Sequence, residues 1–513
     1  MGEMRIGLFD PGMTAYHRVG LAGLYMACES LEKAGSWTGP GGWKLEPKAI
    51  VLDLSDDPAA FFERLFTLSF GIDSIGRIEF PHLKASTMGD VERFHFSDAI
   101  GSTFLQHGQT RKMDKAESTL AVAVEDRQII RRFKKVQGYS HQKLHGDLVD
   151  RKGRLASEVD VAGWLFPGAA VRHVVFSGDT KFSAPVPSIL LFAFCPMGSL
   201  YYRLKKITTE GKLDARMRYA IVLPDVVDLA DYSRRYRALL NTSVISELHA
   251  ASMGDAGFLA LVGLQMHTTA SRQGVVGCQV VTMGSLPWDK KQKNRSCLIS
   301  LKDVPGSVLQ GVSLLQRTYP AKIILNEKKG EWNWWVAVSA VRGLFANNLA
   351  LGQPWYQDFQ KLMASKTVAQ KARYGFQGLD GKGGFEEMIE HATFIEPVHK
   401  LFIQAMHEAI RRRYGALAAR SAEKGERIPF DREFERMRTG LARAKNQQTL
   451  RAEIADLFSR SGTNSVLQAG WHDLLPLLEG RDWQMVRDLA LIALASYGGK
   501  EAVVTEVGEE IEE

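Results

Sequence analysis

The sequence predicts an α+β fold, with a mixed α/β body in the N-terminal part and an antiparallel helical bundle in the C-terminal part. Up to about residue 375, short apolar runs of strand and helix type alternate between glycines and prolines. From about residue 385 the apolar residues recur only at helical spacing. The chain has 513 residues, too many for one ordinary core, so two or three domains are expected.

The first elements are a strand, a turn and a helix. Ile6 to Phe9 is predicted as a short strand, which the following Asp-Pro-Gly interrupts because proline cannot extend the ladder. Thr14 is predicted to cap a helix whose apolar face carries Leu21, Leu24, Cys28 and Leu31.

The rest of the body mixes helices and strands. Strands are predicted within Trp43 to Leu54, Ile72 to Phe80 and 215 to 223. Residues 161 to 194 also look strand-rich, and the apolar block from Ile189 to Phe194 is predicted as a buried strand. Helices are predicted over Pro58 to Leu68, Tyr232 to Met253 and Tyr356 to Lys366.

A glycine-rich stretch divides this body from the helical part. Residues 375 to 384 contain five glycines, which predicts a body over 1–375, a linker over 376–384 and a bundle over 385–513. Four or five amphipathic helices follow. Their apolar stripes, including Trp471, Leu474, Leu475 and Leu478, are predicted to form the core of the bundle.

Several classes of protein are disfavoured. No apolar run is long enough for a membrane helix, and the first residues do not resemble a signal peptide, so a cytoplasmic protein is expected. The four cysteines are scattered, which predicts neither disulfides nor a zinc site. His141 and His145 are four apart but are interpreted as polar loop residues. The motifs of serine hydrolases, zinc proteases and nucleotide-binding loops are absent, so no catalytic residue, metal or cofactor is predicted.

Positive charge is concentrated in two segments. Residues 109 to 154 carry 12 Lys/Arg against 6 Asp/Glu, and residues 411 to 451 carry 12 against 5. The formal charge of the whole chain is only +7, so the remainder is net acidic. Clustered cations of this kind indicate a polyanionic partner such as nucleic acid.

Candidate nucleic-acid-binding residues lie in four places. Cations can contact phosphates, and aromatic or amide side chains can contact bases. His17 and Arg18 lie near a helix N-terminus, where free amides favour an anion, although both could simply cap the helix. The other candidates are Arg111, Lys112, Arg131, Arg132, Lys134, Lys135 and Lys143 in the first basic segment, Trp288, Lys290, Lys291, Gln292, Lys293, Asn294 and Arg295 in a loop, and Arg411, Arg412, Arg436 and Arg443 in the second basic segment.

Two strings carry a resemblance to a known family. Residues 8 to 33, LFDPGMTAYHRVGLAGLYMACESLEK, and residues 482 to 497, DWQMVRDLALIALASY, resemble the large subunit of type I CRISPR surveillance complexes (Cascade), the Cas-eight family in its MYXAN subtype. Residues 287 to 295 resemble it more weakly. The two strong matches occur in the expected order near opposite ends of the chain.

The resemblance implies a non-catalytic subunit for antiviral defence. It implies binding to the guide CRISPR RNA beside its 5′ handle, recognition of the protospacer-adjacent motif in double-stranded target DNA, and help in opening the duplex and stabilising the R-loop. It also implies contacts with the backbone, foot and small subunits, and with a helicase-nuclease or a transposition adaptor as the downstream effector.

The C-terminal bundle is expected to resemble the small subunit. Met388 follows the glycine-rich stretch, and an internal start there would yield the bundle as a separate chain. The alternative is an ordinary methionine at a domain boundary.

Two other functions remain open from the residues. The chain could be a stand-alone nucleic-acid-processing enzyme with an unrecognised active site. It could also be a scaffold protein whose basic segments bind the acidic face of another protein.

Overall fold

The computed structural model describes two compact units, each with its own core. The described residues are 2–167, 183–204, 218–266, 277–282, 297–328, 330–364, 366, 369, 389–392, 394–425, 429–462 and 464–497. The first unit comprises Met1–Lys205, Ala215–Val304 and Ala321–Ala337, and the second comprises Lys206–Asp214, Pro305–Pro320 and Val338–Glu513. The first mixes helices with sheets and the second is helical where it is described, which confirms the predicted α+β class.

The first unit contains all the strands among the described residues. Its helices are α1 Ala15–Lys33, α2 Pro58–Ser69, α3 Pro81–Lys84, α4 Asp90–Ser102, α5 Val186–Gly198, α6 Leu229–Thr242 and α7 Met253–Met266. Its strands are β1 Glu3–Gly7, β2 Gly42–Glu46, β3 Ala49–Asp53, β4 Gly71–Ile72, β5 Ile78–Glu79, β6 Arg111–Met113, β7 Ser118–Val124, β8 Arg127–Phe133, β9 Val136–Tyr139, β10 Val159–Asp160, β11 Ser183–Ala184, β12 Leu200–Leu204, β13 Arg218–Pro224, β14 His249–Ala250, β15 Cys278–Thr282, β16 Cys297–Leu301, β17 Lys322–Lys328 and β18 Glu331–Ala337. Short 3-10 helices cover Gly108–Thr110 and Ser140–Asp147.

The largest sheet of the first unit has five strands in the order β14-β12-β13-β15-β16. Only β12 and β14 are parallel, and the register places Ile221 between Tyr201 and Val281. Its strands are rich in valine, isoleucine and tyrosine, which suit a pleated, buried surface. Helix α7 packs against all five of its strands, and α4 packs against β12 and β13.

The first strand, turn and helix form as the sequence predicts. β1 pairs with β3, and β2 completes an antiparallel sheet in the order β1-β3-β2. Thr14 is the N-cap of α1 in a capping box whose second member is His17. The observed strand β1 lies slightly earlier than the predicted one, since it ends at Gly7 and not at Phe9.

Helices α1 and α5 approach with their backbones almost in contact. A Cβ added at Gly20 or Gly23 would overlap the carbonyl oxygen of Leu191 or Phe194, and one at Gly198 would overlap that of Val19. Glycine is therefore needed at three points along this contact, which lies in the core of the first unit.

The apolar block from Ile189 to Phe194 is helical, so the predicted strand there is wrong. It lies within α5, where every residue from Ile189 onward is buried. A helix that is buried on all sides carries no polar stripe, so its sequence looks like that of a buried strand. The predicted helix from Tyr232 to Met253 is also wrong in its extent, since α6 ends at Thr242 and α7 begins at Met253.

The second unit consists of helices. They are α8 Gly306–Thr318, α9 Ala340–Ala350, α10 Phe359–Met363, α11 Pro397–Lys424, α12 Phe430–Arg443, α13 Gln447–Ser461, α14 Ser465–Glu479 and α15 Trp483–Ser496. The five helices from α11 onward confirm the predicted run of helices. The compact units group α8, α9 and α10 with them, whereas the predicted body, linker and bundle put these helices before the linker. Residues 376–384 lie outside the described residues.

Helix α14 departs from the predicted core of the bundle. Leu474 is buried, but Trp471 is 41% exposed, and Leu475 and Leu478 are only half-buried. The stripe through Trp471 therefore belongs in part to the surface, because α14 buries the face that carries Gly470, Leu474 and Leu477.

No helix among the described residues is both long and apolar enough to cross a membrane.

Candidate nucleic-acid interface

The first basic segment folds into two antiparallel strand pairs. β6 pairs with β9, and β7 pairs with β8 across a two-residue turn in which Glu125 has a φ of 51°. Side chains alternate along β8, so Ile129 faces inward opposite Val122, whereas Ile130 is 58% exposed. The alternation decides which cations of this segment face solvent.

Two of the predicted cations are half-buried and pack against α4. Nη2 of Arg131 lies 2.5 Å from the carboxylate of Asp98, and its guanidinium lies 4.5 Å from the ring of Phe94. The guanidinium of Arg111 lies against Gly101, and burial lowers its pKa. These contacts give both arginines a structural role in the packing of α4 against β6 and β8.

The remaining predicted cations of this segment are nearer the surface. Lys112 on β6, Arg132 on β8, Lys134 after β8 and Lys143 in the second 3-10 helix are all exposed. Lys135 is half-buried, since its side-chain stem packs against Gly76. The first basic segment thus contains two kinds of cation: some pack within the fold, and others face solvent.

One interaction on this surface was not predicted. Arg127, at the start of β8, places its guanidinium 4.7 Å from the centroid of the Trp332 ring on β18. Arg132, at the other end of β8, lies 3.8 Å from the carboxylate of Glu331. The sequence shows that Arg127 belongs to the basic segment and that β18 contains three tryptophans. It does not show that the two hairpins meet, which depends on the tertiary fold.

His17 and Arg18 are both engaged within the first unit. Nδ1 of His17 accepts hydrogen bonds from the backbone N–H of Thr14 at 3.2 Å and pairs with its hydroxyl at 2.7 Å. Burial lowers the pKa of His17, which favours this neutral, accepting form. Arg18 forms an ion pair with Asp225 at 3.1 Å. The helix-capping interpretation of His17 is therefore confirmed, and its role in binding stays a prediction.

In the second basic segment, several of the predicted arginines form ion pairs with nearby carboxylates. Glu408 pairs with both Arg411 and Arg412 on the exposed side of α11, which holds the pKa of that carboxyl below its usual range through its hydrogen bond to Arg412. Glu433 pairs with Arg436 at 2.9 Å. Arg443, at the end of α12, is exposed.

The predicted loop from Trp288 to Arg295 lies outside the described residues, so its contacts stay predictions. Among the residues that the structure describes, no three of His, Cys, Asp and Glu are placed to hold a metal ion. Cys28, Cys195 and Cys278 are free and buried, and burial raises the pKa of each thiol.

Of the two predicted loop histidines, His141 is buried, contrary to its interpretation as a polar loop residue. Its ring lies 4.6 Å from that of Trp164 and 5.1 Å from that of Phe70. Burial lowers its pKa to about 3, because no group compensates the loss of hydration of a charged imidazole. His145 is half-buried and borders Phe66.

Comparison with known proteins places the chain in a family. Residues 5–193 match the model of the DevT N-terminal domain, and residues 390–513 match that of the DevT C-terminal domain, so the two models together cover more than half of the chain. A curated relative from Myxococcus xanthus (strain DK1622), CRISPR-associated protein Cas8a1/Csx13, is 28% identical over 97% of this chain and 89% of its own length.

The chain belongs to the DevT/Cas8a1 family of CRISPR-associated proteins.

Membership in the DevT/Cas8a1 family confirms the resemblance that the two terminal strings predicted, and it identifies the chain as a CRISPR-associated large subunit. The two matched ranges contain the two basic segments, with β6 to β9 in the first and α11 to α13 in the second. The hairpin of β17 and β18 lies between them. The surface through Arg127 and Trp332 therefore joins a matched range to residues that neither DevT model covers.

Proposed function

We propose that this protein is the non-catalytic, nucleic-acid-binding large subunit of a type I CRISPR surveillance complex. In that role it binds the guide RNA and double-stranded target DNA, recognises the protospacer-adjacent motif and stabilises the opened R-loop. It contacts the backbone, foot and small subunits and helps to recruit a helicase-nuclease or transposition adaptor. The proposal extends the relationship to Cas8a1 by assigning the contacts to particular surfaces of this chain.

The observation that carries the proposal is the set of exposed cations on the first basic segment. Lys112 lies on β6, Arg132 on β8 and Lys134 in the connection from β8 to β9. Asp114 donates its backbone N–H to the carbonyl oxygen of Lys135 at 2.8 Å, between the two strand pairs. Cations held on strands face a phosphate backbone without the entropy cost of ordering a loop. This surface is suited to positioning a nucleic acid independently of its sequence.

The second basic segment supports the same function more weakly. Its arginines already pair with Glu408 and Glu433 on their own helices, and each phosphate must compete with such a carboxylate. We assign Arg411, Arg412, Arg436 and Arg443 to a secondary track for the displaced strand or the heteroduplex. The loop from Trp288 to Arg295 is assigned to the duplex, with Gln292 or Asn294 near base edges.

The direct test removes the exposed cations and leaves the internal ones intact. The triple variant Lys112→Gln, Arg132→Gln, Lys134→Gln should bind target duplex more weakly, with a log–log salt slope smaller by up to about 0.9 for each lost contact to B-form DNA. Arg131 is left unchanged, because breaking its pair with Asp98 would disturb α4. Binding is measured by gel shift at several salt concentrations, with the complex assembled on its guide.

A matched control removes the same number of positive charges elsewhere. Lys33, Lys44 and Lys361 are exposed lysines paired with Glu29, Glu46 and Asp358. Their triple glutamine variant should keep the wild-type affinity and slope. Equal affinities and slopes for the two triple variants would show that the first basic segment is not the interface.

A further inference from the structure

The contact between two hairpins of the first unit has the chemistry of a base-stacking site. The guanidinium of Arg127 lies over the ring of Trp332 at 4.7 Å, and the Arg127 side chain is 48% exposed. A cation over an indole ring is favourable, and the contact restrains the guanidinium against the ring. A second planar group can stack on the solvent side of a guanidinium that is held in this way.

A second arginine contacts the neighbouring residue of β18. Arg132 lies 3.8 Å from Glu331, the residue directly before Trp332, and these side chains are 66% and 72% exposed. An ion pair so open to water contributes little, and a phosphate can replace the carboxylate at little cost. The two arginines, from opposite ends of β8, therefore contact adjacent residues at the start of β18.

Neighbouring stacking and phosphate sites match one class of ligand. Proteins that hold single-stranded nucleic acid combine aromatic or guanidinium platforms for bases with cations for the backbone. A paired duplex offers only its phosphates to such a platform, since its bases are already stacked on one another. The geometry therefore favours an unpaired stretch.

We propose that Arg127, Trp332 and Arg132 form a binding site for an unpaired stretch of nucleic acid. A base stacks on the Arg127–Trp332 pair, and the neighbouring phosphate displaces Glu331 from Arg132. This site deepens the proposed nucleic-acid-binding function and rests on it. Glu331 acts as a built-in competitor, so the site is occupied in the free protein by its own carboxylate.

The experiment uses the full-length chain and short oligonucleotides of single-stranded RNA, single-stranded DNA and duplex DNA. Trp332→Leu removes the aromatic platform and keeps apolar bulk, so single-strand affinity should fall about fivefold or more, with the salt slope unchanged. Arg132→Gln should lower the slope by about 0.7, as one lost single-strand contact implies. Glu331→Gln should tighten binding by up to about fivefold, because the competitor is gone.

The matched control is Trp471→Leu, which removes an exposed tryptophan from the second unit and should leave affinity unchanged. A larger effect of Trp332→Leu on RNA assigns the site to the guide, and a larger effect on DNA assigns it to the displaced strand; either result supports the site. If Trp332→Leu lowers the thermal midpoint, Glu331→Gln decides, because its gain of affinity cannot come from damage to the fold.

Failure of the site and failure of the proposed function give different results. Wild-type protein that binds none of the oligonucleotides overturns the proposed function. Wild-type protein that binds them, with Trp332→Leu equal to Trp471→Leu or Glu331→Gln no tighter, overturns the site alone. An equal loss for duplex and single strands also overturns it, since stacking requires an unpaired base.

Discussion

His141 lies in an aromatic cluster where neither of its ring nitrogens has a hydrogen-bond partner among the described residues. Phe70, Tyr139 and Trp164 surround it, and only 1% of its surface is exposed. Its folded-state pKa of about 3 lies below the unfolded value of 6.5, so the unfolded chain takes up a proton first as the pH falls. This histidine therefore makes folding weaker in acid.

Replacing His141 by phenylalanine should remove this acid sensitivity. The wild-type protein loses about 1.4 kcal/mol at pH 5.5 from this group, one unit below the unfolded pKa. Phenylalanine has a similar shape and buries no unpaired nitrogen, so the variant should also be more stable at pH 8. Thermal midpoints at the two pH values measure both effects, with His145→Phe as the control. A midpoint below wild type at pH 8 would contradict the prediction.

Asp488 on α15 changes the pH dependence of stability in the opposite direction. Its carboxylate accepts the backbone N–H of Gln360 at 3.0 Å, while burial raises its pKa to about 6 from 3.8. The folded state holds this proton more tightly than the unfolded state, so stability decreases as the pH rises from about 4 through 6. The shift corresponds to at most on the order of 3 kcal/mol.

The variant Asp488→Asn should lose that dependence, because the amide oxygen still accepts the Gln360 N–H and carries no charge. Relative to wild type, its free energy of unfolding should rise between pH 4 and pH 7. Denaturant titrations at both pH values measure the difference. A difference that stays constant, or that falls with rising pH, would show that the carboxylate is ionised at no extra cost.

At the scale of elements, the contact of α1 with α5 depends on glycine more than on apolar side chains. The backbones are so close that a methyl group at Gly20, Gly23 or Gly198 would overlap a carbonyl oxygen of the other helix. The neighbouring groups are backbone atoms, which cannot rotate away as a side chain can. The two helices must therefore separate to admit even one carbon atom.

Gly23→Ala should destabilise the first unit by about 2 kcal/mol or more, because overpacking a rigid contact forces the backbones apart. The control is Gly415→Ala in α11, where nothing lies within 4 Å of an added Cβ. That change should stabilise the helix by about 0.5 to 1 kcal/mol, as expected for alanine over glycine. Denaturant midpoints of the two variants should move in opposite directions, and a shared direction would contradict the predicted role of Gly23.

The helices and strands also show where sequence patterns were sufficient to predict the structure. The five helices from α11 to α15 were predicted from spacing alone. Helices α11 to α14 each bury one face and leave the other in water, and the residues of α15 that are not buried all lie before Asp488. Helix α5 was missed because it is buried all round and keeps no periodic signal. The alternation within Glu331–Ala337 shows only that a strand is present, and it does not show that Arg127 covers Trp332.

At the scale of the whole molecule, the second unit is assembled from separated parts of the chain. Helix α10 contributes the Gln360 N–H that Asp488 accepts, and the carbonyl oxygen of Met363 accepts a hydrogen bond of 2.6 Å from Arg438. Helix α8 contributes Gly311, which packs closely against Phe394. A product that starts at Met388 would lack Gly311, Gln360 and Met363, and so would lose all three contacts.

A fragment of residues 388–513 should therefore be less stable than one of residues 338–513, which keeps α9 and α10. Without Met363, the buried guanidinium of Arg438 loses its carbonyl acceptor, a loss of about 1 to 3 kcal/mol for a buried charged donor. Thermal unfolding followed by circular dichroism compares the two fragments. Equal midpoints would favour the separate small subunit that the internal start implies.

The sequence by itself determined the features that depend on neighbours in the chain. The cap at Thr14, the helices after residue 397 and the two basic segments follow from local spacing and composition, and the family resemblance rests on the two strings near the ends of the chain. Hydrogen bonding and amphipathic burial act over a few residues, so the sequence records them directly.

Only the tertiary structure decided which cations face solvent, where a nucleic acid could reach them. Arg131 and Arg132 are adjacent and chemically identical, yet one binds Asp98 and the other faces solvent beside Glu331. Their difference arises because β8 packs one face on α4, and that packing brings together residues far apart in the chain. The same long-range packing buried His141, made Ile189 to Phe194 a helix and placed Arg127 on Trp332.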